Sequence, residues 1–239
     1  MTSPEGIDPM PYDAALRGTS VTRFARAGLW LLPIYGVLLA LSTLTQQPDY
    51  ETDFRGYAEY ITTDRFLVSH LGASIAGAAV GLLGVVAALL FLVRGPALTA
   101  AVVGTALTIV GNVGNIALFG VAAFAQPAIG RAYLDGAEGI PELNDDVYGT
   151  PLFATAGVAI LCFIVGTILV GVAIARSRRP LRWIGIGYAV SLALFPIFFF
   201  TFAAAAPVAA AVFAAVAVVL ALRLPRHLSF ASIDGASRT

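Results

Sequence analysis

From Ile184 to Leu222 the chain runs without one charged side chain. As a single helix rising ~1.5 Å per residue, that stretch would be about twice as long as a ~30 Å bilayer core is thick. Such a run has to fold back on itself within an apolar medium. Thr201 to Pro207 is the expected turn, because proline is accepted in the first turn of a helix and not in its middle. Composition agrees over the whole chain: of 239 residues 12% are charged, against roughly 25% in a soluble domain. The mean hydropathy is +0.87.

Apolar stretches of spanning length recur near residues 27–45, 67–93, 97–125, 151–175, 182–201 and 205–222. The expected fold is all-α: a polytopic integral membrane protein with six transmembrane helices. Residues 27–222 then form one transmembrane domain between an N-terminal segment, 1–26, and a tail, 223–239. Pro33 and Pro196 fall inside the first and fifth spans, where a kink is the ordinary result. The first span is longer than the roughly 7–15-residue core of a signal peptide and lacks an A-x-A cleavage pattern, so it is read as a span.

Orientation follows from arginine. Arg17, Arg23 and Arg26 precede the first span, Arg94 lies between the second and third, and Arg176, Arg178, Arg179 and Arg182 lie between the fourth and fifth. Arg223, Arg226 and Arg238 follow the sixth, which leaves only Arg55, Arg65 and Arg131 for the other side. Cytoplasmic loops accumulate basic residues, so both termini are expected in the cytoplasm. Trp30 and Trp183 fall at the inner interface, where indoles collect. The acids sort oppositely, with Asp49, Glu51, Asp53, Glu59 and Asp64 in one outer loop and Asp135, Glu138, Glu142, Asp145 and Asp146 in the other. The absence of lysine and the wealth of Ala, Gly and Val read as the codon bias of a GC-rich genome, and the expected location is the inner membrane of a bacterium. Arg94-Gly95-Pro96 and Arg178-Arg179-Pro180 mark two hairpins of the same sense, a weak parallel repeat.

Apart from Arg182 at the very edge of the fifth, none of the six spans contains Asp, Glu, Lys or Arg, which argues against a proton pump, an ion-coupled carrier with an intramembrane carboxylate, or a voltage sensor. The polar residues left are neutral. His70, Ser74, Gly77, Gly81 and Gly84 share one side of the second span, and Gly104, Thr108, Gly111 and Asn115 share one side of the third. Small residues let membrane helices approach closely, so the second and third spans are expected to pair through Gly77, Gly81, Gly104 and Gly111. Counting from the turn at Gly95 puts Ser74 and Asn115 at one depth in the outer half of the bilayer, with Asn112 a turn deeper and His70 nearer the outer interface. Thr155, on the fourth span, falls at a height similar to His70. Each carboxamide needs a partner, since an unpaired amide in hydrocarbon costs several kcal/mol. His70, Ser74, Asn112, Asn115 and Thr155 are therefore the candidate ligand-binding residues, rimming a cavity open to the outside together with Thr43 and Thr45.

Other chemistry is poorly served. Two histidines, His70 and His227, cannot assemble a di-iron or bis-histidine haem site, and HExxH, GxSxG and Walker patterns are missing. Cys162 alone forms neither a disulfide nor a thiolate cluster. No cofactor and no metal site is expected: the acidic outer segments lack EF-hand spacing. A zero net charge gives no basic excess for nucleic acid. No motif names a family. The expected function is to bind or move a lipid or another neutral or amphipathic small molecule through the outward-facing cavity. The alternatives are a membrane-embedded lipid-modifying enzyme using His70, oriented by Asp64 or Glu59, and a non-catalytic subunit. The expected partners are membrane lipids, and a membrane protein or second copy docked on the glycine-rich faces.

Overall fold

Pro33 divides the first span. A proline ring clashes with the carbonyl four residues earlier, here that of Leu29, and α1 (Pro11–Leu29) ends there; α2 (Leu31–Ser42) resumes after Trp30. In the computed structural model, which describes residues 11–44 and 47–227, all regular structure among the described residues is helical. Thr45, Arg238 and the side chains of Arg17 and His227 fall outside the described parts.

Two short helices, α3 (Phe54–Ile61) and α4 (Asp64–Val68), lead into a π-helical segment, Ser69–Ala76, which continues as α5 (Gly77–Leu92). The long α6 (Leu98–Phe124) is followed by α7 (Gln126–Leu134), α8 (Ile140–Val147) and α9 (Thr150–Ser177). The final pair is α10 (Arg182–Thr201) and α11 (Ala206–His227). The turn between them is a short 3₁₀ stretch, Ala203–Ala205, with Pro207 in the first turn of α11. Pro196 is carried within α10.

Six helical stretches are long and apolar enough to cross a membrane: Ser20–Ser42, Asp64–Leu92, Leu98–Leu134, Ile140–Ser177, Arg179–Thr201 and Ala203–Arg226. Each packs on its neighbours in sequence, and the last closes on the first through α11 against α2, so the six form an up-and-down ring. The ring's interior is built from Ala, Gly, Leu and a few large rings, while large apolar side chains such as Leu83, Val110, Val158, Leu161 and Phe200 also face outward. A water-soluble bundle buries such residues instead; the arrangement is that of a multi-pass membrane protein. Tyr35 of α2, Tyr188 of α10 and Phe213 of α11 fill the centre, with Phe213 edge-on to Tyr35 at 5.9 Å and to Tyr188 at 5.5 Å.

The glycine seams overturn the expected pairing of the second span with the third. A Cβ on Gly77, Gly81 or Gly84 would meet Leu38, Tyr35 or Leu32, all on α2. On the third span, Gly104 and Gly111 lie against Val170 and Phe163 of α9, and Gly166 of α9 returns the contact onto the Thr108 backbone. Helices can approach this closely only where both present small residues, and α6 and α9 share the most extensive packing in the ring. The second and third spans do touch, but their glycines are used against other helices.

The acidic segments are helical as well. Asp53 caps α3 by accepting from the Gly56 N–H at 2.9 Å, and Thr63 caps α4 by accepting from the Phe66 N–H at 3.2 Å. Gly136 and Gly139, with φ of 83° and 72°, make the left-handed turns between α7 and α8. Proline in the first turn starts α7, α8 and α9. Packed together, α3, α7 and α8 form a cap over one end of the ring.

Candidate functional site

His70 and Ser74 both lie on the π-helical segment. Such i→i+5 helix is rare, most often a single turn inside an α-helix and frequently at functional sites; here it runs for 8 residues. The His70 ring stacks on Phe66 at 4.1 Å and meets Phe119 of α6 edge-on at 6.3 Å. Its Nδ1 lies 2.9 Å from the Phe66 carbonyl oxygen. A carbonyl only accepts, so Nδ1 carries the proton and Nε2 of the neutral ring is left as an acceptor. The orienting group is thus backbone rather than Asp64 or Glu59, and Glu59 instead pairs with Arg55 at 3.1 Å.

Because the second and third spans run antiparallel, the His70–Phe119 contact sets their register: four residues on from His70 is Ser74, and four back from Phe119 is Asn115. Ser74 and Asn115 therefore stand level on facing helices, at the depth expected from the Gly95 turn. Ser74 is buried and Asn115 half-buried, and among the described residues neither side chain makes a hydrogen bond to protein.

Asn112 is placed differently. Only 2% exposed, it accepts from the Tyr35 hydroxyl at 3.3 Å through Oδ1 and donates through Nδ2 to the Thr108 carbonyl at 2.9 Å. It bridges the third span to the first across the interior. Thr155 is exposed on α9 and closes its hydroxyl onto the Pro151 carbonyl of its own helix at 2.8 Å; Thr43 does the same to Ala40 at 2.8 Å. Ser74 and Asn115 thus share a depth one helical turn from the His70–Phe119 contact, while Asn112 bonds Tyr35 in the interior and Thr155 lies on the exposed side of α9.

A second polar cluster, which sequence reasoning missed, lies under the cap. The fully buried Tyr57 of α3 donates to Oδ1 of the fully buried Asn144 of α8 at 3.1 Å. The buried Gln126 carboxamide at the start of α7 lies against the Tyr57 and Tyr148 phenols. Gln126 Oε1, Asn144 Nδ2 and the Tyr148 hydroxyl are buried without a partner. Turning the Asn144 amide over exchanges which end bonds Tyr57 and still leaves the other unpaired. Burial pushes the Tyr57 phenol up to about 12. Nearby Tyr50 is also raised, first by burial and then by the carboxylates of Glu51, Asp145 and Asp49. Phe54 stacks on Tyr133 of α7 at 4.7 Å, so rings as well as polar groups tie α3 to α7. The sequence signal was faint: a lone Gln or Asn near a helix end reads as solvent-facing until its neighbours are known.

Among the described residues no group of three or more His, Cys, Asp or Glu side chains converges to hold a metal ion. His70, Ser74 and Asn115 offer neutral donors and acceptors within about one helical turn of depth, with the rings of Phe66 and Phe119 against His70. That chemistry suits hydrogen bonding to an uncharged polar group whose apolar remainder lies among the helices. Comparison of the chain with protein-family models, with curated proteins and with solved structures gives no match, so the functional reading rests on this geometry.

Proposed function

We propose that the protein is a multi-pass protein of the cell membrane, with both termini in the cytoplasm, that binds or moves a lipid or another neutral or amphipathic small molecule in its outward-facing half. One observation carries the ligand reading: Ser74 and Asn115 stand level on neighbouring spans, neither side chain has a hydrogen-bond partner among the described residues, and an unpaired group in hydrocarbon costs several kcal/mol. The π-helical segment beside them supports it. A His70-based enzyme gains less support, because the ring is stacked and held by a backbone carbonyl with no carboxylate behind it. The subunit reading retains only Gly72, Gly120 and Gly157 as glycines with open space before them in the membrane-spanning helices. A bacterial inner membrane is the location that arginine usage favours.

Sidedness is tested by cysteine labelling. Cysteines placed at positions 50 and 145 are expected to react from outside intact cells, and one at position 178 only after permeabilisation. The opposite pattern would overturn the orientation.

The ligand reading is tested by mass spectrometry of small molecules and subunits that copurify in mild detergent. Asn115→Ala is expected to lose a copurifying neutral molecule while thermal stability changes little, since side-chain hydrogen bonds within membranes average about 0.6 kcal/mol. Unchanged ligand content, or a stoichiometric partner protein in place of a ligand, would reject the reading.

A further inference from the structure

A shallow apolar groove of about 300 Å³ runs between α10 and α11, lined by Trp183, Ile184, Ala215, Val216 and Val219. It opens outward from the bundle, and a Cβ on Gly187 would lie 3.0 Å from Val216, so the two helices are in close contact at its floor. Guanidinium groups stand at one end. Arg182 lies 5.8 Å from the Trp183 ring centre, within range of a cation–π contact that holds it at the groove's mouth. Arg223 follows Val219 by one helical turn on the exposed stripe that contains Ala215 and Val219. Trp183 is 75% exposed, which leaves its indole N–H at the same mouth. Among the described side chains no acid answers this charge: every such Asp and Glu lies in the segments 49–64 and 135–146, at the other end of the ring.

We infer that this groove and its two arginines form a binding site for one anionic phospholipid of the cytoplasmic leaflet, with an acyl chain along Ala215, Val216 and Val219 and the phosphate between Arg182 and Arg223. The charge selects the occupant. A neutral lipid would fill the groove equally well but leave two guanidiniums without a counter-charge, whereas a guanidinium pair matches phosphate oxygens in both charge and hydrogen-bond geometry. Surplus Arg at a membrane's inner face is general, and what sets this place apart is an apolar slot that ends at two arginines and an indole. The leaflet rests on the orientation proposed above, but the binding itself does not, and it is independent of the outer-half ligand.

The test uses the full chain purified in detergent, exposed to equal amounts of phosphatidylglycerol and phosphatidylcholine with matched acyl chains, repurified, and analysed for retained lipid. This assay has no sides, so a wrong orientation leaves it unaffected, and the neutral-ligand reading is decided separately by Asn115→Ala. Phosphatidylglycerol is expected to be retained in roughly twenty-five-fold excess, since each of the two basic residues is worth about fivefold. Arg182→Gln with Arg223→Gln should bring retention close to the supplied ratio, while Arg176→Gln with Arg178→Gln, which removes the same charge from the same end, should leave the excess in place. Ala215→Trp, a change at an exposed position that fills the slot and spares the arginines, should lower the total lipid retained. No excess in the natural chain, equal loss in both arginine pairs, or full retention in Ala215→Trp would each overturn the site.

Discussion

Gly111→Ala is expected to lower the stability of the protein by about 2–3 kcal/mol, while Gly157→Ala raises it by up to about 1 kcal/mol. The two positions differ in what a single methyl group would meet. At Gly111 the new Cβ would stand 2.6 Å from the Phe163 backbone nitrogen and 2.8 Å from the Ala159 carbonyl oxygen, so relief requires α6 and α9 to part. At Gly157, on the same α9, nothing lies within 4 Å, and only the gain in helix propensity remains. Thermal denaturation of both variants in one detergent checks the pair. Equal and small effects would mean that the third and fourth spans do not pack through this seam.

Tyr35→Ala should destabilise the bundle by about 3 kcal/mol or more, and Tyr35→Phe by no more than about 1 kcal/mol. The ring is 4% exposed, edge-on to Phe213, and lies under Gly81, so its removal empties the place where the first, second and sixth spans meet. The hydroxyl makes one 3.3 Å bond to Asn112, a weaker contribution. A Cβ on Gly81 would lie 2.8 Å from the Tyr35 ring, so Gly81→Ala should cost less in the Tyr35→Ala background than alone, a coupling that denaturant titration of the double variant measures. Additive losses would place Gly81 against some other helix.

The relative depth of the candidate residues was legible in the sequence because depth along antiparallel helices can be counted. Counting residues from the Gly95 turn put Ser74 level with Asn115, and the His70–Phe119 contact sets the same register. Counting gives height and not azimuth, which is why Asn112, three residues from Asn115, turns out to face Tyr35 in the interior and why Thr155 points out of the bundle. Tyr35 itself carried a readable signal that went unused: a tyrosine in the middle of an apolar run has a hydroxyl that must find a partner. The helical cap was not legible, since its acidic composition suits a solvated loop as well as short helices whose inner faces are Tyr57 and Ile61 of α3 and Phe66 of α4.

By itself the sequence determined the number of spanning helices, their places, the fold-back near Pro207 and the segregation of arginine from acid, because these depend on length, apolarity and charge, which are local properties of the chain. Only the tertiary structure decided which helices the glycines join. A seam of small residues lets another helix approach closely without selecting which, and the partner is chosen by the shape of every other helix in the ring: Leu32, Tyr35 and Leu38 of α2 fit the second span's seam, and the backbone of α9 fits the third's.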